Sequence, residues 1–216
     1  MQKLLIYGAS GLGREILETV MDINSKAYTY DVLGWLDDGI LPGTVINNFS
    51  VLGNSEYLAD NCEACAVVLA IANPEIKEML YNKIKSINPY VRFPYLVHPT
   101  AQVSASAQID DGVVISRLCW VSIDTKLDKF VLLNTKCDVA HDSKIGAFSS
   151  LMPSVEISGN VTVGTKVFCG VQSAVHQGLT IGNGAIIGMG SKVMLDVPAH
   201  CTVLGNPAKI IQRREK

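Results

Sequence analysis

The stretch Val121-Ser-Ile-Asp-Thr-Lys-Leu127-Asp-Lys-Phe-Val-Leu-Leu133-Asn-Thr-Lys-Cys-Asp-Val139-Ala-His-Asp-Ser-Lys-Ile145 decides the fold. Its aliphatic residues return every six positions, and four places after each comes a small or modestly apolar one: Thr125, Val131, Cys137, Ser143, Ser149. Followed outward, the phase runs without a gap from Val97, Val103, Ile109 and Ile115 to Leu151, Ile157, Val163, Cys169, Val175, Ile181, Ile187 and Val193. Of these seventeen positions only Cys169 is not Val, Ile or Leu. Such a period is neither helical nor an ordinary strand alternation. It predicts short parallel strands joined by tight turns, a prism with one aliphatic side chain per face pointing inward. Three hexads per coil would stack each residue over the one three hexads earlier, at an inter-strand spacing of about 4.8 Å. One hexad buries almost nothing, so only the stack is stable.

The solenoid claims residues 96–216 and leaves residues 1–95 as a separate domain, an organisation that a chain of 216 residues allows. A net charge of −2 with 48% apolar residues describes an ordinary soluble protein. It excludes the basic surface of a nucleic-acid binder, so the partner is expected to be small or a protein. Met1 to Tyr7 is too brief for a signal peptide and no stretch has the apolar length of a membrane helix; a cytoplasmic protein that engages no membrane is expected. Cys119 and Cys137 fall on the small inward phase and Cys169 on the aliphatic one, which core packing explains. Cys62 and Cys65 form a lone C-x-x-C without the second ligand pair of a zinc site or a thioredoxin pattern. His98, His141, His176 and His200 lie in different phases of the hexad or several coils apart, so no metal is expected.

In the front domain, Lys3 to Tyr7 reads as a buried strand running into Gly8-Ala-Ser-Gly-Leu-Gly13. A helix should follow with Leu12, Ile16, Leu17 and Val20 on one face, then strands at 32–36 and 66–71 and a helix from Glu75 to Ile87 opened by Pro74. This is a small βαβ unit. A glycine-rich turn between strand and helix aims backbone N–H groups and the helix dipole at a phosphate; the alternative is a tight turn without a ligand. The domain is too short for the two halves that hold a dinucleotide, so a mononucleotide or nucleotide-sugar diphosphate suits it better. Asp37 and Asp38, ending the second strand, read either as acceptors for a base or ribose or as a solvated turn before Gly39.

Within the solenoid, His141 is followed at once by Asp142. A histidine beside a carboxylate works as a general base, the carboxylate fixing the tautomer and stabilising the imidazolium; the competing reading is a surface histidine on a turn. Stacking by three hexads puts Gly159 over His141 and Gln177 over Gly159, and the glycine leaves room for a substrate to approach the backbone.

Taken in order, Gly8-Ala-Ser-Gly-Leu-Gly13, Leu36-Asp-Asp38, Ala70-Ile-Ala-Asn73, the unbroken hexads, Leu133-Asn-Thr135, His141-Asp142, Ile145-Gly146 and Gly205-Asn-Pro-Ala-Lys209 resemble the sugar O-acyltransferase family of the sialic acid O-acetyltransferase type. Its best understood members are acetyl-CoA-dependent N-acetyltransferases of UDP-linked 4-amino-4,6-dideoxy sugars. The resemblance covers nearly the whole chain. It implies a Rossmann-like α/β domain followed by a left-handed parallel β-helix, assembled as a homotrimer with active sites between neighbouring prisms. Gly8, Ser10, Gly11 and Gly13 would bind the nucleotide sugar, with Asp37 and Asp38 near the base and Asn73 on the substrate side. His141 would be the base and Asp142 its orienting acid. Asn134 would line the acceptor site, and the Gly159 amide would meet the thioester carbonyl. Gly170, Val171 and Gly190 would flank the pantetheine arm.

Two positions depart from the family pattern: Ser150, within Phe148-Ser-Ser-Leu-Met-Pro153, and Leu12 stand where many members carry histidine. Ser150 keeps hydrogen-bonding capacity for the substrate side but no charge, which leaves amine and hydroxyl acceptors both open. Lys209, Arg213 and Arg214 are candidates for the coenzyme A phosphates or simply a solvated basic tail. The rival readings are a sugar O-acetyltransferase and a non-catalytic, nucleotide-binding trimeric scaffold.

Overall fold

The computed structural model of the chain describes residues 1–60 and 65–213, and the chain divides into two compact units, Met1–Pro99 and Thr100–Lys216. In the first unit the apolar run Leu4, Leu5, Ile6, Tyr7 makes β1 (Gln2–Tyr7) a buried strand. It turns through Gly8 into α1 (Gly11–Lys26), whose Ile16, Leu17 and Val20 are buried while Leu12, nearer the turn, is half-buried. β2 (Tyr30–Leu36) returns parallel to β1, pairing Gln2 with Tyr30 and Tyr7 with Leu36. The chain then forms β3 (Val45–Ile46), β4 (Phe49–Gly53) and the single turn α2 (Tyr57–Asp60), none of which the hydrophobic pattern predicts.

β5 (Ala66–Leu69) pairs with the free side of β1, two residues shorter than expected, and α3 (Pro74–Ile87) follows. The sheet order is β3-β4-β2-β1-β5. The connections leave β1 toward β2 on one side and come back to β5 on the other, so a crevice opens beyond the carboxyl ends of β1 and β5, where such sheets hold ligands.

In the second unit each hexad contributes a two-residue strand, and the strands fall on three faces in rotation. Trp120 of the first face pairs in parallel with Gln102 below and Asp138 above, which fixes the coil at three hexads. The second face stacks Lys126 on Gln108 and under Lys144, and the third stacks Leu132 on Val114 and under Ser150. From Ile115 to Val193 every position of the aliphatic phase is buried, Cys169 included. Val103 and Ile109 are only half-buried because the prism begins there, with no coil beneath them in this unit. The third face is continued by a parallel strand, Cys201–Gly205, and an antiparallel one, Ala208–Arg213.

Outward-pointing residues differ by face: Trp120, Asp138 and Glu156 on the first and Lys126, Lys144 and Thr162 on the second are exposed, whereas Val114, Leu132 and Ser150 on the third are buried. At the edge between the second and third faces, Phe130 and Phe148 stack one coil apart with centroids 5.1 Å apart and an interplanar angle of 3°. Such a pair contributes about 0.5–1.5 kcal/mol beyond its burial. No helix among the described residues is long and apolar enough to cross a membrane.

Candidate active site

The glycine turn is closed by its own backbone. A Cβ on Gly13 would sit 1.9 Å from the Gly8 carbonyl oxygen, so only glycine lets α1 start this close to β1. Ser10 is the N-cap residue, yet its hydroxyl makes no capping bond, and the first turn holds no acidic residue. Backbone donors and a helix dipole are thus left for an anion. Asp37 braces the turn: its Oδ2 accepts from the Ala9 N–H at 2.9 Å and its Oδ1 from the Gly39 N–H at 2.8 Å.

Beside the turn, a cleft of about 280 Å³ is lined by Tyr7, Gly8, Asp37, Asp38 and Gly39 and walled by Ile71, Ile76, Met79, Leu80 and Lys83. Tyr7 donates its hydroxyl to Asp38 Oδ1 at 3.0 Å. Burial, then that contact, pushes the phenol well above its usual range, so it stays a donor. Lys83 Nζ is 4.0 Å from the same oxygen. Tyr7, Ile71, Met79 and Lys83 were not among the residues expected here, since they come from three separate segments and share no spacing. Asn73 is exposed at the start of α3, where its Oδ1 accepts from the Glu75 and Ile76 N–H groups as a helix cap.

In the solenoid, His141 and Asp142 stand at the edge between the first and second faces. The ring Nδ1 is 2.8 Å from Asp142 Oδ2, and both side chains are more than half exposed. With Nδ1–H donated to the carboxylate, Nε2 carries the free lone pair. The coils seat the pair through the backbone: Asp142 N–H donates to Ile123 O at 3.2 Å, and Asn160 N–H to His141 O at 2.8 Å. Asp142 sits in the left-handed region at φ 60°, as do other corner residues of the prism. Gly159 lies over the ring so closely that a Cβ there would be 2.6 Å from both Cε1 and Nε2. Among the described residues the Gly159 N–H donates to no protein acceptor.

The other expected solenoid residues occupy different places. Asn134, Gly170, Val171 and Gly190 belong to the edge between the third and first faces; Asn134 Oδ1 accepts from the Thr135 N–H at 2.7 Å, and Gly190 N–H donates to Val171 O at 2.8 Å. Within one chain the first face separates this edge from His141. Ser150 is fully buried in its strand on the third face. Lys209 and Arg213 are exposed on the last strand, and Arg214 and Cys62 lie outside the described residues. Cys65 is buried. Cys137, nearest His141 in sequence, is buried, its Sγ–H on Met152 O at 3.1 Å, and burial raises its pKa, so it is no nucleophile. Cys169 is pushed up to about 12 by burial alone. Among the described residues no group of three or more His, Cys, Asp or Glu converges as metal ligands would.

The family described as the PglD N-terminal domain matches residues 3–84, the unit that carries the glycine turn and the cleft. The acetyltransferase domain of PglB from Neisseria gonorrhoeae is 30% identical and superposes with a TM-score of 0.89 over 98% of this chain and 100% of that one. PerB from Caulobacter crescentus, solved in complex with CoA and GDP-perosamine, is 26% identical with a TM-score of 0.89, covering 98% of each chain. A Staphylococcus aureus acetyltransferase is 40% identical over 55 residues, which is 26% of this chain and 28% of that protein, so the curated relatives are matched over little more than a quarter of their length. Full-length agreement with the PglB domain extends the likeness from the N-terminal unit through the hexads. The chain belongs to the sugar acetyltransferase family that includes the PglB acetyltransferase domain.

Proposed function

We propose that this protein transfers the acetyl group of acetyl-CoA to a nucleotide-linked amino sugar of the 4-amino-4,6-dideoxy type. The observation that carries the reading is the His141–Asp142 pair, held at 2.8 Å under a glycine that gives the ring and an incoming carbonyl room. The first unit takes the nucleotide: Ser10, Gly11 and Gly13 present the turn to the diphosphate, and the cleft beside Asp37 and Asp38 takes the base. PerB, whose crystals hold CoA and GDP-perosamine, supports both ligands over the same fold.

The neutral sugar amine attacks the thioester carbonyl directly. As the C–N bond forms, Nε2 of His141 takes the proton from the attacking nitrogen, and Asp142 stabilises the imidazolium. The carbonyl oxygen gathers negative charge and meets the Gly159 N–H. The C–S bond then breaks, the proton passes to the sulfur, and coenzyme A leaves as the thiol. No acyl-enzyme is formed, in keeping with the burial of the five cysteines among the described residues.

The working form is a left-handed β-helical homotrimer in the cytoplasm. Its support is the separation within one chain of the His141 edge from the edge bearing Asn134, Gly170, Val171 and Gly190. A cleft between copies joins the base of one prism to the pantetheine-binding edge, reaching Lys209, of the next. The reading is tested by following thiol release from acetyl-CoA with UDP-, dTDP- and GDP-linked 4-amino sugars against matched hydroxyl acceptors. Release with an amino sugar supports it; release only with hydroxyl acceptors makes the protein an O-acetyltransferase, and nucleotide binding without release makes it a scaffold.

A further inference from the structure

Asp37 and Asp38 are neighbours in sequence but face different tasks. Both oxygens of Asp37 accept backbone N–H groups, Ala9 on Oδ2 and Gly39 on Oδ1, so its carboxylate is taken up by the turn. Asp38 keeps capacity to spare. Its Oδ1 accepts the Tyr7 hydroxyl at 3.0 Å and lies 4.0 Å from Lys83 Nζ, while its Oδ2 has no donor among the described residues. The side chain is 58% exposed and lines the cleft of about 280 Å³. Lys83, Oδ1 and Oδ2 thus offer the cleft a donor, an acceptor and an acceptor in that order.

The opposite wall is apolar. Ile76 and Met79 of α3 line the cleft while 45% and 63% exposed, and Ile71 belongs to the same lining. Large apolar side chains left open beside a carboxylate suit a planar ring that is apolar on its faces and polar at its edge. Gly8 lines the cleft and also opens the glycine turn, so a base in the cleft and a diphosphate at the turn fit one ligand.

We propose that the cleft selects guanine: Lys83 donates to O6, and the Asp38 carboxylate accepts the N1–H and the N2 amino group. The inference rests on the first unit being the nucleotide domain and adds which base it takes. Of the five common bases, guanine alone presents acceptor, donor, donor in a row on its Watson–Crick edge. Uracil and thymine present acceptor, donor, acceptor, so their O2 would face Asp38 Oδ2 with no proton between the two oxygens. Adenine turns the lone pair of N1, and cytosine that of N3, toward the carboxylate. Tyr7 and Lys83 both hold Oδ1, which leaves Oδ2 as the atom that discriminates.

The test is calorimetric titration of the full chain with GDP, UDP, dTDP and xanthosine diphosphate, for wild type, Asp38→Asn and Lys83→Met. Wild type should bind GDP about tenfold tighter than UDP or dTDP, the discrimination of one bidentate pair. Asp38→Asn keeps a carbonyl oxygen against Tyr7 and Lys83, so its amide NH2 takes the place of Oδ2. It should lose about tenfold for GDP and gain about tenfold for xanthosine diphosphate, whose O2 accepts from that amide. Lys83→Met should weaken GDP and xanthosine diphosphate alike. UDP or dTDP bound as tightly as GDP by wild type overturns the proposal and leaves the nucleotide reading standing. Equal loss of all four ligands in Asp38→Asn, with no gain for xanthosine diphosphate, also overturns it. If wild type binds none of the four, the nucleotide reading of the first unit has failed as well.

Discussion

Gly159 stands one coil above His141 with its Cα against the imidazole: a Cβ added there would lie 2.6 Å from Nε2 and Cε1. The glycine is therefore a condition of the ring's position. Gly159→Ala must push the imidazole aside, since the backbone above it is fixed by the ladder bond of Gly178 N–H to Gly159 O at 3.0 Å. Misplacing a reacting group by about 1 Å costs on the order of 10²-fold in rate. The expected result is a fall of about that size in kcat/KM, with an unchanged circular dichroism spectrum and unchanged nucleotide affinity.

Asp142 acts on the same ring from the side. Asp142→Asn keeps the size of the side chain but removes the charge that stabilises the imidazolium and permits the wrong tautomer. Acetyl transfer should fall by about 10²-fold, mostly in kcat, while the KM for acetyl-CoA moves little. A change confined to KM would assign Asp142 to binding instead.

These two relationships differ in how far the sequence revealed them. The hexad phase, the coil length and Gly159 over His141 follow from spacing alone, because the ladder repeats without insertion. The cleft was not legible: Tyr7, Ile71 and Lys83 meet only through the parallel pairing of β1 with β5 and the packing of α3. The β3–β4 hairpin did leave a signal in Asn47-Asn48, both at positive φ (47° and 67°), a pair suited to a tight hairpin, but its strands are too short for alternation to show. Asn73 illustrates a residue whose place in a motif says less than its position: the structure uses it to cap α3.

Lys77, in α3, is 2% exposed, and burial lowers its pKa to about 7. The folded state thus releases this proton near pH 7 while the unfolded chain holds it until its ordinary, higher value. Between those limits the unfolded state binds more protons, so the group's unfavourable contribution is full below pH 7 and fades as pH rises. Lys77→Met should raise the Tm, and by more at pH 6 than at pH 9. A gain that is the same at both pH values would show that the ammonium is not the source.

Leu151 is fully buried on the inward phase of the third face. Leu151→Ala should lower the unfolding free energy in urea by about 2–5 kcal/mol, since coils above and below hold the space open. Cys169→Val, on the same inward phase one coil up, should change it by less than about 1.5 kcal/mol.

The most direct measurement is a single-turnover comparison of wild type and His141→Ala, each saturated with acetyl-CoA and a nucleotide-linked 4-amino sugar, following release of the coenzyme A thiol. The account predicts that His141→Ala retains the assembly and binds both substrates while the transfer rate falls by about 10²–10⁴-fold. Transfer at the wild-type rate by the His141→Ala protein would contradict it.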